Sequence, residues 1–270
     1  MQVTQTWASA VSRGPLQIMQ VSMEAPRSGM LPFLSSIVLL AGLDVVVIDP
    51  GHGGRQPGAV APDGTQEKGI CLAVSLRLAR LLKEKTKARV LLTRRSDRTL
   101  SLQQRAEMAN RLKAQVFVSI HANSSTRPTA RGVETYFLSS RATDRRARLL
   151  AARENFELIE SKDESQTDDV IQAILTDADK GAMLEASSRL AHLVQHRLIG
   201  RVGGEDRSVR QAPFAVLVRA GSAAILVELG FVSHPEERKQ LLDPKHQEAL
   251  AEAMADAIIA YGAGETPKSP

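Results

Sequence analysis

Residues 43–54 read LDVVVIDPGHGG, and this stretch decides the fold. The apolar run 43–48 reads as a strand buried on both faces, as in a parallel sheet. It breaks at Asp49-Pro50-Gly51, where proline and glycine force a loop at the strand's carboxyl end. That loop carries His52 between glycines.

Working outward, Ile70, Val74, Leu78, Leu81 and Leu82 recur at helical spacing and predict a helix over 67–85. A short strand follows at 88–92, then a helix over 101–113 with Leu102, Ala106, Ala109 and Leu112 on one face. The run VFVSI at 116–120 is a further buried strand that delivers His121, and GVETYFL at 132–138 is another. This alternation predicts an α/β domain with a mixed, largely parallel sheet flanked by helices. In such sheets functional groups gather at the carboxyl ends of strands, where His52 and His121 both fall.

From 140 to 209 the pattern turns helical and charged, with few strand signals. A helix is expected over 143–159, then the acidic turn ESKDESQTDD at 160–169. Thr167 can cap a second helix whose apolar face is Val170, Ile171, Ile174 and Leu175. Gly181 is expected to interrupt, and a third helix to run to about 198. Strands are expected at 214–218 and 223–227, the latter ending at Glu228, with a last helix over 244–261.

Two readings of 31–42, LPFLSSIVLLAG, stand side by side. It has the length of a signal-peptide apolar region, too short for a membrane-spanning helix, behind a weak basic start; equally, 33–41 fits a core or edge segment behind a poorly ordered leader. Residues 1–42 are assigned as that leader and 263–270 as a disordered tail.

A chain of 270 residues with 43 % apolar and 24 % charged side chains can bury a sizeable core. Aromatics at 3 % argue against base or sugar stacking as the main recognition device. A net charge of +5 favours anionic partners, but no dense basic run and no nucleic-acid motif appears. The single cysteine, Cys71, excludes an intrachain disulfide and thiolate-rich metal sites, and reads as a buried thiol.

Zinc hydrolases hold the metal with three nitrogen or oxygen ligands and keep a fourth position open. Zinc acidifies water, and a nearby carboxylate can take its proton. His52, Glu67 and His121 suit the ligand set, and Glu228 suits the base. Each has a structural alternative: a turn histidine, a helix-dipole carboxylate, a strand-end histidine, and a salt-bridged glutamate. On residues alone these stay open. His192 and His196 share i, i+4 spacing without an accompanying HExxH glutamate, and His234 precedes Pro235 in a turn.

Taken in order, IDPGHGG, a glutamate fifteen residues after the histidine, TRRSDRTLSLQQRAEMAN, VSIHANSS, GVETYFL and ILVELGFVSHPEE resemble the zinc-dependent N-acetylmuramoyl-L-alanine amidases of the amidase-3 type. The resemblance covers roughly 43–139 and 210–260. It implies cleavage of the amide between N-acetylmuramic acid and L-alanine in peptidoglycan, Zn2+ on His52, Glu67 and His121, and Glu228 as catalytic base. Asn123 and Arg94 (or Arg95) are implied as support or substrate contacts. The catalytic domain would comprise 43–139 and 210–262. Segment 140–209 resembles the helical regulatory insert of the cell-division subgroup, in which an activator protein displaces a helix that blocks the cleft. That implies a glutamate of the insert on the metal, Glu154 first, then Glu157, Glu160 and Glu164, and an activator docking on Val170, Ile171, Ile174 and Leu175. It also implies export to the periplasm or beyond; the lack of a nucleic-acid motif and the shortness of the 31–42 run lead us to expect neither a nucleic-acid partner nor a transmembrane span.

Overall fold

The computed structural model describes residues 42–155, 179–218 and 220–267. All of the 1–42 leader except Gly42, the docking face at Val170, Ile171, Ile174 and Leu175, the alternatives Glu157, Glu160 and Glu164, and the end of the tail lie outside these residues.

Six strands form one sheet: β1 (Val45–Pro50), β2 (Arg89–Leu92), β3 (Val116–Asn123), β4 (Val133–Leu138), β5 (Asp206–Ala212) and β6 (Ala223–Phe231). Their order is β2-β1-β3-β6-β4-β5. The first four positions are parallel; β4 runs antiparallel to β6 and parallel to β5. Seven helices are described: α1 (Glu67–Lys85), α2 (Leu102–Arg111), α3 (Arg145–Glu154), α4 (Asp179–Val202), α5 (Ala215–Val218), α6 (Pro235–Leu242) and α7 (Pro244–Gly262).

The period-2 alternation of the strands divides the core. Val46, Ile48, Val116, Val118, Ile120, Ile225 and Val227 face a layer built with Leu78 and Leu82 of α1, Leu190 and Val194 of α4, and Met254 and Ile258 of α7. Val47, Phe117, Leu226 and Tyr136 face the other way, against Ala109 of α2, Ala147 and Leu150 of α3, and Val216 and Leu217 of α5. On that second face the alternation continues past the apolar residues. Asp49 registers with Ser119, His121 with Glu228, and Glu228 with Glu134. The polar constellation is thus the same strand face that is apolar one turn of the pleat earlier.

Local signals set the helix ends. Ser101 and Gln104 form a reciprocal capping box that starts α2. Asp243 caps α7, with Pro244 at its first position, where a missing N–H costs nothing.

Several expectations are corrected. Residues 214–218 are not a strand: Ala215–Val218 is the short helix α5. A five-residue apolar run cannot distinguish the two by period, and the place beside β4 is taken by β5. That strand, DRSVRQA, is a charged edge strand, so it lacks the alternation that announces a half-buried one. Segment 140–209 therefore ends in a strand, and within it α4 buries Leu190, Leu193, Val194 and Leu198 in the main core. Gly181 lies inside α4 rather than interrupting it. His234 lies in a turn before Pro235, as expected, and its ring accepts from Glu237 N to cap helix α6. Glu228 sits inside β6, which runs on to Phe231.

Candidate metal centre and its carboxylate

The loop after β1 brings His52 in with φ of 57°, a left-handed conformation that non-glycine residues rarely hold. Arg94 and Arg105 fasten that loop from below. Arg94 is 1 % exposed and donates to Pro50 O, Gly51 O, Lys68 O and Ser96 O. All of these acceptors are backbone carbonyls, so Arg94 ties the His52 loop to the first turn of α1 and is a support rather than a surface contact. Arg105 donates to Pro50 O and His52 O, both at 2.7 Å, and to Asp49 Oδ1 at 2.9 Å. Arg95 is exposed. Gly51 is required by packing: a methyl there would lie 2.5 Å from the His121 ring.

Helix α1 starts at Glu67, which is completely buried. Its Oε2 accepts from Ala59 N at 2.8 Å and its Oε1 from Ala122 N at 3.0 Å. His121 comes from β3 where the register with β6 shifts between His121 and Asn123, an irregularity that re-aims the strand end. The fourth residue is Glu154, the last of α3, 7 % exposed.

One donor atom from each of His52, Glu67, His121 and Glu154 lies within 4.8 Å of every other. His52 Nε2 is 3.0 Å from Glu67 Oε1 and 3.3 Å from Glu154 Oε2. His121 Nδ1 is 3.0 Å from Glu67 Oε1 and 3.2 Å from Glu154 Oε2. Bonds of about 2.0–2.2 Å would set the donors of a tetrahedral zinc site about 3.3–3.6 Å apart, close to these separations. Glu228 adds a third buried carboxylate, at 0 % exposure, and neither of its oxygens has a hydrogen-bond partner among the described residues. His52 Nε2 is likewise buried without a well-formed hydrogen bond. Three buried carboxylates converging on two imidazoles is costly unless a cation compensates them. Arg153, paired with Glu154 at 2.9 Å, supplies only one positive charge. The donor chemistry, the spacing and the orphaned atoms therefore fit a divalent metal.

The electrostatics follow from this crowding. Burial pushes His52 down, but the charge of Glu67 and the Glu154 carboxylate beside the ring overcome it and hold it at about 9. His121 is raised in the same way, chiefly by Glu154 against burial. Burial pushes the Glu228 carboxyl well above the ordinary range; His121 opposes this, and Glu67 and Glu154 reinforce it. Cys71 is fully buried beneath the site with its Sγ 4.0 Å from Glu67 Oε1, and burial raises its thiol.

Asn123 donates to Glu134 Oε1 at 2.6 Å and accepts from Ser124 N at 2.8 Å. Glu134 in turn faces Arg207 and Arg210 of β5 at 3.3 and 3.4 Å. Sequence reading passed over Asp49, Arg105, Glu134 and Arg153, whose partners lie far away in the chain. Burial of a charged side chain singles out Asp49, Arg105 and Glu134, and the ion pair with buried Glu154 singles out the exposed Arg153. His192 and His196 sit exposed on α4, away from the cluster.

Asp49 carries a measurable consequence. It accepts from Arg105, from Thr93 Oγ1 at 2.6 Å and from Ser119 Oγ at 2.8 Å. Burial would raise its pKa, but Arg105 and the two hydroxyls hold it below 3.8. A carboxylate depressed on folding contributes stability that is present above its unfolded pKa and lost as pH falls through the folded value. Asp49→Ala leaves Arg105 buried and unpaired, and is expected to cost about 3–5 kcal/mol at pH 7. In urea unfolding, the gap from wild type should narrow below about pH 4. A gap independent of pH would contradict the ion pair's role.

A family profile described as N-acetylmuramoyl-L-alanine amidase matches residues 46–260. The chain is 33 % identical over 223 residues to N-acetylmuramoyl-L-alanine amidase AmiA of Escherichia coli K12, covering 82 % of this chain and 76 % of that one. It is 32 % identical to the catalytic domain of CwlV, an N-acetylmuramoyl-L-alanine amidase of Bacillus (Paenibacillus) polymyxa var. colistinus, whose structure aligns with a TM-score of 0.63 over 81 % of this chain and 98 % of that one. An N-acetylmuramoyl-L-alanine amidase from Clostridium difficile 630 aligns with the same TM-score at 28 % identity, over 82 % and 97 %.

Proposed function

The chain belongs to the N-acetylmuramoyl-L-alanine amidase family, a family of peptidoglycan hydrolases, and from that premise we propose that it cuts the lactyl–L-alanine amide with zinc held by His52, Glu67 and His121. The observation that carries the reading is the convergence of these three donors and Glu154 within 4.8 Å, beside the unpartnered carboxylate of Glu228. Zinc, when bound, supplies Lewis acidity toward the scissile carbonyl and acidifies water near it. Glu228 takes the proton from the attacking water as the new C–O bond forms. It then gives that proton to the alanine nitrogen as the C–N bond breaks, leaving a lactyl carboxyl and a free amine. Its burial beside other carboxylates, which raises the carboxyl's proton affinity, suits a group that must both accept and return a proton. Arg94, Arg105 and the Glu67 backbone contacts hold the donors; Asn123, braced by Glu134, lines the same strand end.

The resting enzyme is closed. Glu154 takes the place that a three-ligand site leaves for water or substrate. The space left beside His52, His121, Glu154 and Asn155 is about 20 Å³, room for one water molecule and not for an acyl group. The position of Glu154 at the end of helix α3, together with the resemblance, supports autoinhibition relieved by an activator protein, in the service of daughter-cell separation. Val170, Ile171, Ile174 and Leu175 are its proposed docking face, by resemblance alone. Peptidoglycan as substrate places the action in the periplasm or outside the cell. No described helix is long and apolar enough to cross a membrane.

The test is digestion of purified peptidoglycan by the zinc-loaded Glu154→Gln enzyme with mass spectrometry of the soluble products. Stem peptides with a free L-alanine amine are expected. Fragments cut within the stem would mark a peptidase, and no release while a control amidase works would sink the reading.

A further inference from the structure

Glu154 does not act alone at the end of α3. Its Oε2 faces the two imidazoles, while its Oε1 accepts from Arg153 Nε at 2.9 Å. Arg153 also reaches Ser124 O at 3.3 Å, in the segment directly after the His121 strand end. Adjacent residues within a helix point about 100° apart and do not face each other. This pair forms in the last turn of α3, which Asn155 N closes on Ala151 O.

On the other side of Glu154, Asn155 is 8 % exposed and spends its whole amide on one loop. Its Nδ2 donates to Pro213 O at 2.8 Å and its Oδ1 accepts from Ala215 N at 2.9 Å. Those two groups lie between β5 and α5, so the end of α3 is fixed to the frame of the sheet rather than to the metal loop. One neighbour therefore orients the carboxylate, and the other fixes the backbone that carries it.

We propose that Arg153 and Asn155 are positioning residues that clasp Glu154 into its place among the metal donors, so that opening of the site is governed by breaking this clasp. The proposal rests on the reading of Glu154 as the fourth donor. Partners that orient metal ligands are commonly worth about 10–100-fold in metal affinity. Without Arg153, the Glu154 carboxylate loses its counter-charge and its fixed rotamer. Without Asn155, Pro213 O and Ala215 N lose their partner and the helix end is released.

The experiment measures zinc affinity of the purified full chain by competition with a chromogenic chelator, alongside basal release of dye-labelled peptidoglycan. Glu154→Gln is the reference and should weaken zinc binding and raise basal release. Arg153→Gln and Asn155→Ala should each weaken zinc binding by about 10-fold or more and raise basal release. Arg153→Lys, which keeps a cationic donor, should return toward wild type. Arg153 is 37 % exposed at its side chain, so its variants decide the matter if the Asn155 variant does not fold. Wild-type zinc affinity in Arg153→Gln beside a weakened Glu154→Gln would overturn the clasp. Wild-type affinity in Glu154→Gln itself would overturn the fourth-donor reading, and the clasp with it.

Discussion

Glu228→Gln is expected to lower kcat by about 10²–10⁴-fold while leaving zinc content at the wild-type level. The carboxylate is completely buried in β6, registered with His121 on one side and Glu134 on the other, and neither oxygen has a partner. A carboxylate held for structure would be satisfied by donors, because an unsatisfied buried charge is costly. One left bare beside two imidazoles and two further carboxylates is a candidate for chemistry, which is the role proposed for Glu228. Glutamine has the same shape and cannot carry the proton. Because Glu228 ionises with difficulty in this setting, its neutral replacement should also leave the thermal unfolding temperature of the metal-free protein at or above wild type. Kinetics on peptidoglycan, elemental analysis and a melting curve decide it. Zinc loss matching the loss of turnover would make Glu228 a ligand instead.

His121→Ala should remove both metal and activity. Its Nδ1 lies 3.0 Å from Glu67 Oε1 and 3.2 Å from Glu154 Oε2, so it stands between the two carboxylate donors. Without it, two carboxylates and one imidazole remain, and the loss of a direct ligand should exceed the 10–100-fold typical of outer partners. The metal should also stabilise the wild type by mass action, raising its melting temperature in proportion to ligand excess, and a chelator should reverse that. His121→Ala should show no such response. A metal-dependent melting shift of wild-type size in this variant would remove His121 from the ligand set.

The sequence by itself determined the two ends of the problem. The run VVVI into Pro-Gly-His-Gly and the run VFVSI into His121 each specify a buried strand with a histidine at its carboxyl end, because continuous apolar strands and glycine turns are local signals. The helix at Glu67–Lys85 was equally legible from its periodicity. Local reading went wrong where tertiary context overrides it. Ala215–Val218, four of the five apolar residues at 214–218, form a helix, and the edge beside β4 goes to DRSVRQA, whose Arg207 and Arg210 face the buried Glu134. The resemblance named Glu154 first among the insert's glutamates, but no local pattern did, and the tertiary structure sets it against His52 and His121. Glu154 follows His52 by about a hundred residues, and what places it is the clasp to Ser124, Pro213 and Ala215. The same holds for Asp49 and Arg105. An ion pair between distant residues leaves no periodic trace in a sequence, and its existence is fixed by the strand pleat and the loop it anchors.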